Sequence, residues 1–209
     1  MASRSVMKLL VDTDVFCKLG IAGLLEDTAR LFDAQLQECG RLPALPYMLQ
    51  RGSLSKLYGE AACNALIPVA NAIPVVPKPN ITWLDRLTAV EAIGPGEAEI
   101  FAVAAELGKL FLSGDKRALR ALKSIKEFIP VLANRIVALE SVLLALCDRL
   151  GQEEMRQRVA PLAAVDRMVE VCFSSGNPDP STALMSYYRA LEMELAPLKL
   201  WNPRVQARS

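Results

Sequence analysis

Through residue 133, short apolar runs that end on acids alternate with longer stretches of helical period. Residues 6–11 (VMKLLV) read as a short strand apolar on both faces, as parallel strands are. Residues 15–37 then follow a helical period marked by Leu19, Leu24, Leu25, Leu31, Phe32 and Leu36, with a break near Gly20–Gly23 and a stop at Gly40. Pro43 and Pro46 bracket an extended piece, ALPYML, that reads as a second strand. Residues 53–70 are helical and stop near Pro68, and the proline-spaced segment 73–79 suits a short strand. Residues 82–92 place Trp83, Leu84, Leu87 and Val90 on one helical stripe. After the Gly94-Pro95-Gly96 turn a helix runs over 97–107, with Gly108 as its natural stop. A strand follows at 109–113, an amphipathic helix at 116–128 and a further strand at 129–133. From residue 135 on the pattern is nearly all helix, broken at 176–180 and resumed over 181–195.

Strands that alternate with helices predict a parallel sheet covered on both faces, a three-layer α/β/α class. The expected organisation is an α/β domain over residues 1–133 and a helical extension over 134–209, packed on that domain or mediating association. Composition narrows the picture. The 52% hydrophobic share and mean hydropathy of +0.25 suffice for a buried core and exclude a disordered chain. They also suggest a covered apolar face, and so a homo-oligomer or a partner surface. A net charge of +1 leaves no global basic field, so nucleic-acid contact has to come from a local patch. The five cysteines are dispersed without CxxC spacing, and the chain has no histidine. That argues against zinc and for thiols in a reducing, cytoplasmic setting. Asp12 and Asp14 cut the first apolar run, which argues against a signal peptide. No uninterrupted apolar stretch approaches the ~20 residues of a membrane span, so no membrane partner is expected.

The candidate chemistry lies where the strands end. In a parallel sheet the active site sits outside the carboxyl ends of the strands. Asp12 and Asp14 follow the first strand, and Asp115 follows the strand at 109–113 after a Ser-Gly turn. Carboxylates converging from neighbouring strands repel unless a cation lies between them. With oxygen donors and no imidazole, that cation is a hard one, Mg²⁺ or Mn²⁺, which points to phosphate chemistry. Asp12, Asp14 and Asp115 also suit plain helix capping. Glu97 and Glu99 open a helix, where the dipole favours acids in any case. Two positions apart, they face nearly opposite sides, so one at most reaches the site, with Glu97 slightly favoured. Lys116, Arg120 and Lys123 recur at i, i+4, i+7 and form the best candidate phosphate-backbone patch, or else a solvated helix face.

These motifs resemble the PIN domain family of metal-dependent ribonucleases, which includes toxins of bacterial toxin–antitoxin pairs. Residues 9–16 (LLVDTDVF) resemble its opening strand and "hhhDTNxh" signature, with Asp14 where asparagine is usual. Residues 96–104 (GEAEIFAVA) are similar to the "GEAEAIALA" helix of one branch. Residues 111–117 (FLSGDKR) resemble "hhTxDxx", with Ser113 in the place of threonine. The resemblance spans about residues 6–133. It implies a parallel sheet flanked by helices and Mg²⁺ or Mn²⁺ held by Asp12, Asp115 and Glu97 or Glu99, with Asp14 as an accessory ligand. It also implies Ser113, Lys116 and Arg120 at the substrate, RNA as that substrate, and an antitoxin-like protein as partner. Many members carry another glutamate on the helix after the second strand. Here residues 45–55 hold no acid, leaving Glu60 or Asp14 to compensate.

The expected function is therefore a Mg/Mn-dependent endoribonuclease, with Asp12, Glu97 and Asp115 catalytic and a metal-activated water attacking the phosphodiester. The alternative is a catalytically degenerate PIN-like binding module acting through a protein or nucleic-acid partner. A third reading takes Asp12-Thr13-Asp14 as the DxD of a haloacid-dehalogenase-type phosphatase. That chemistry also wants a GDxxxD-like acidic pair, and Leu119 occupies the second acid's place.

Overall fold

The computed structural model describes residues 7–203. The start of the first expected strand, Val6, and the outermost ends of both expected segments lie outside those residues.

Four short parallel strands form the centre: β1 (Leu9–Val11), β2 (Cys39–Arg41), β3 (Leu110–Ser113) and β4 (Ile136–Ala138). Their order is β2-β1-β3-β4. Leu9 pairs with Cys39 on one side and with Leu110 on the other, and Phe111 pairs with Ile136. Nearly every strand residue is buried, as expected of parallel strands covered on both faces. Both outer strands are shielded. Val75 bridges to Arg41 beside β2, and Leu200 bridges to Ile136 beside β4. This leaves little open sheet edge for another chain to pair with.

Thirteen α-helices and two short 3₁₀ turns surround the sheet among the described residues. After β1 come α1 (Thr13–Ile21) and α2 (Leu25–Leu31). Between β2 and β3 lie α3 (Leu45–Gln50), α4 (Ser53–Tyr58), α5 (Glu60–Ala72), α6 (Ile81–Thr88) and α7 (Pro95–Leu107). Between β3 and β4 come α8 (Lys116–Leu122) and α9 (Phe128–Leu132). The chain closes with α10 (Leu139–Leu150), α11 (Gln152–Val159), α12 (Arg167–Phe173) and α13 (Pro180–Leu195). The molecule is thus mixed α/β, mostly helical, on an all-parallel sheet. None of the described helices is long and apolar enough to cross a membrane.

Four expectations drawn from the sequence need correction. ALPYML is not a strand but most of α3, with Pro46 in the first turn, where a missing N–H costs nothing. The second strand is Cys39-Gly40-Arg41, where the sequence pattern had suggested only a helix stop. Residues 129–133 belong mainly to α9, and the strand comes later, at Ile136–Ala138. The last strand of the sheet therefore lies beyond residue 133. Val142, Leu143, Leu146, Leu184 and Tyr188 of the later helices belong to the same continuous core as Leu9, Phe101 and Phe111. Helix α5 also runs through Pro68 instead of stopping there. Pro68 is exposed, as is Asn64, whose carbonyl it leaves without an intrahelical donor, so water can satisfy that group.

Helix α7 packs its apolar face on β3. Ala98, Ile100, Phe101, Ala102, Val103 and Ala104 are all buried. The Phe101 and Phe111 rings lie 5.2 Å apart in a tilted contact, and each buried phenyl contributes about 1.5–3 kcal/mol. Gly108, at φ 60°, ends α7 in the left-handed conformation expected of it.

Candidate active site

The strand order reverses between β1 and β3: β2 lies to one side of β1, and β3 and β4 lie to the other. In open α/β sheets that switch point opens a crevice at the carboxyl ends of the strands. Asp12 directly follows β1, and its N–H donates to the Leu112 carbonyl at 3.2 Å, continuing the ladder past the strand. Asp115 follows β3 by two residues. The two acids thus flank the crevice by topology.

A cleft of about 310 Å³ occupies this place, lined by Asp12, Thr13, Asp14, Met48, Leu54, Glu97 and Asp115. Asp12 and Asp115 both cap helices. Thr13 N–H donates to Asp12 Oδ1 at 2.7 Å, and Ala118 N–H donates to Asp115 Oδ1 at 3.0 Å. Glu97 stands in the first turn of α7. A side chain at Gly94 would collide with Glu97 Oε2, so the glycine makes room for that carboxylate.

Asp12 is only 4% exposed. Burial first, then the charge of Glu97 and the weaker ones of Asp14 and Asp115, push its carboxyl up to about 7, against an opposing pull from the Thr13 N–H. Asp14 is treated differently. Tyr58 Oη donates to its Oδ1 at 2.8 Å, and Lys18 Nζ lies 2.7 Å from its Oδ2. Lys18 also pairs with Asp166 Oδ2 at 2.8 Å. Burial alone would pull the Lys18 ammonium down, but the two carboxylates outweigh it and hold it above its usual range.

The remaining sequence candidates lie elsewhere. Glu99, half-buried and held up by burial, is not among the residues lining the cleft. The same is true of Ser113, which is 1% exposed and whose hydroxyl finds no hydrogen-bond partner among the described residues. Lys116 Nζ pairs with Glu140 Oε1 at 2.5 Å, and Glu140 is itself 1% exposed. Arg120 pairs with Glu194 of α13, and Lys123 Nζ donates to the Glu194 carbonyl at 2.5 Å. On the side where the family resemblance calls for another acid, the cleft is lined by Met48 and Leu54, and Glu60 is exposed at the start of α5.

Sequence reading missed Lys18, Tyr58, Asp166 and Glu140. Lys18 carried a signal, since Asp14 and Lys18 are four apart on one helix. Glu140 follows β4 by two residues, just as Asp115 follows β3, and correct placement of that strand would have exposed it.

The donors of the cleft suit a hard divalent cation in kind, being oxygen only. Mg²⁺ takes one or two protein carboxylates and keeps several waters, a demand that Asp12 with Glu97 or Asp115 can meet. Among the described residues, no group of three or more aspartate, glutamate or cysteine side chains is already gathered closely enough to hold a metal ion. No protein-family model, no curated protein and no solved structure matches this chain.

Proposed function

We propose that this chain is a PIN-like, divalent-metal-dependent nuclease acting on RNA. One observation carries the reading: carboxylates from three separate elements, Asp12 before α1, Glu97 on α7 and Asp115 before α8, line one cleft at the sheet's switch point. Asp12, Glu97 and Asp115 would hold Mg²⁺ or Mn²⁺. When bound, the ion supplies charge neutralisation at the phosphodiester and a nucleophile at neutral pH. Asp12 fixes the floor of the site through its bond from the Thr13 N–H. Near neutral pH it carries a proton much of the time, and that proton leaves to solvent when a cation takes its place. Asp115 and Glu97 also line the cleft, each at a helix N-terminus, whose dipole favours negative charge.

A second reading, a PIN-like module that binds without cutting, has its own support. Met48 and Leu54 make one side of the cleft apolar, and exposed Tyr47 (63%) and Leu57 (51%) extend from the same two helices. The phosphatase reading is weakened because Leu119, in the place of its second acid, is fully buried in the core.

The deciding experiment incubates labelled single-stranded RNA with wild type, Asp12→Asn and Asp115→Asn in Mn²⁺ or Mg²⁺. Cleavage by wild type that falls at least about 100-fold in each variant supports the nuclease. RNA binding without cleavage by wild type supports the binding module. Neither binding nor cleavage of RNA overturns the nuclease and leaves the binding module only with a protein partner.

A further inference from the structure

Asp12 and Asp14 stand two residues apart in the same turn and line the same cleft, yet only Asp14 is fully engaged by its own protein. Tyr58, at the end of α4, holds one of its oxygens. Lys18, one turn along α1, holds the other. Gly114 packs against it from the β3 side, where an added Cβ would fall 2.8 Å from Asp14 Oδ2. Lys18 is itself fixed from the far side by Asp166. That residue is anchored in turn as the cap of α12, accepting from the Val169 N–H at 3.1 Å. The Lys18 and Asp166 side chains are only 13% and 11% exposed, so water screens this pair little.

We infer that Asp166, delivered by the C-terminal helices, is a positioning residue for the acidic cleft, and that through Lys18 it fixes Asp14 as a braced wall and not a cation ligand. The inference rests on the metal-dependent reading for its functional meaning, while the bracing itself is a matter of geometry. An ammonium 2.7 Å from Asp14 cancels the charge that would draw a cation and repels a dication approaching that oxygen. Tyr58, bonded to Asp14, lies at the end of the helix that supplies Leu54 to the cleft. The bracing thus ties three parts of the chain to one side of the site: α1, the α3–α4 region and α12. The helical segment after β4 then helps build the cleft although none of the cleft-lining residues comes from it.

The test uses full-length protein with ¹³C-labelled tyrosine. Asparagine at 166 still caps α12, so the variant keeps its helix start. The Tyr58 Cζ resonance is expected to move in Asp14→Asn and, in the same direction, in Lys18→Met and Asp166→Asn. It should stay put in Glu170→Gln, a change on the same helix at a residue that pairs with Arg167. An Asp166→Asn spectrum no different from that of Glu170→Gln overturns the inference. In a parallel Mn²⁺ titration, Asp14→Asn and Asp166→Asn should each weaken binding by about tenfold, the size of an outer-shell effect, whereas Asp12→Asn abolishes it. Loss in Asp14→Asn as complete as in Asp12→Asn makes Asp14 a ligand and overturns the inference. If wild type binds no Mn²⁺, the metal reading fails on its own, and the tyrosine shifts alone decide the bracing.

Discussion

The floor of the cleft and the layer of ion pairs behind it hold their acids under opposite electrostatic conditions. On the floor, Asp12 has one N–H donor and three neighbouring acids, and its carboxyl is driven up to about 7. Behind it, Asp166 shares Lys18 and accepts from its helix start. Burial would push its carboxyl up, but these partners outweigh it and hold it below its usual range. Glu140, as buried as any acid in the chain, faces Lys116. Buried acids are ordinarily paired; Asp166 and Glu140 each have a lysine, whereas Asp12 on the floor of the cleft faces three other acids. A buried acid left among like charges in a cleft is where a functional site is sought first.

The largest expected effect lies at that exception. Asp12 ionises near 3.8 in the unfolded chain and near 7 in the folded one. Between those values the folded state binds more protons than the unfolded state, so stability falls as pH rises and levels off above about 7. The destabilisation is absent below about pH 4 and complete above about pH 7, with a ceiling of about 4 kcal/mol. Asparagine retains the cap to Thr13 without the charge. Asp12→Asn is therefore expected to raise the unfolding free energy at pH 8 by about 2–4 kcal/mol and to change it little at pH 4. Urea titrations at the two pH values check this. A variant no more stable than wild type at pH 8 would remove the contrast between floor and layer.

That contrast was half legible in the sequence. The acids of the floor follow apolar runs, and period and position alone placed Asp12 and Asp115 at strand ends. Gly108 as a helix stop and 97–107 as a helix rest on equally local signals. β2 was not legible because its three residues, Cys39-Gly40-Arg41, carry no apolar run. They are a strand because Leu9, Leu10 and Val11 pair with them, and Arg41 is tolerated inside because its guanidinium donates to the carbonyls of Ala70 and Leu42. The compensating layer was invisible for the same reason. Lys18 and Asp166, or Arg120 and Glu194, meet only through the tertiary fold. Lys116, Arg120 and Lys123 recur on α8 at the expected spacing, but nothing local to that helix announces that α13 lies against Arg120 and Lys123.

A smaller effect is expected from opening the layer. Lys116→Met leaves the Glu140 carboxylate buried without its cation. Removing one partner of a fully buried pair costs about 3–5 kcal/mol. The lysine side chain is 37% exposed, so water screens it and about 2 kcal/mol is the expected loss at pH 7. Urea titrations of Lys116→Met against wild type at pH 7 check this. A variant as stable as wild type would mean that Glu140 does not depend on Lys116, and that the layer does not hold its acids by pairing.

The smallest effect on stability is expected at the rim, and it sharpens the contrast most for function. Arg120 and Glu194 are about half exposed, so solvent screens the pair and Glu194→Gln should leave stability nearly unchanged. It does, however, free the Arg120 guanidinium on the helix that begins at Asp115. If that face tracks a phosphate backbone beside the cleft, the variant should bind a short single-stranded RNA more tightly. The slope of log affinity against log salt should steepen by about 0.7, the value for one further contact to a single strand. Anisotropy titrations between 50 and 200 mM salt measure both quantities. An unchanged slope with unchanged stability would mean that the basic face of α8 serves only to hold α13, and that any nucleic acid is gripped elsewhere on the rim of the cleft.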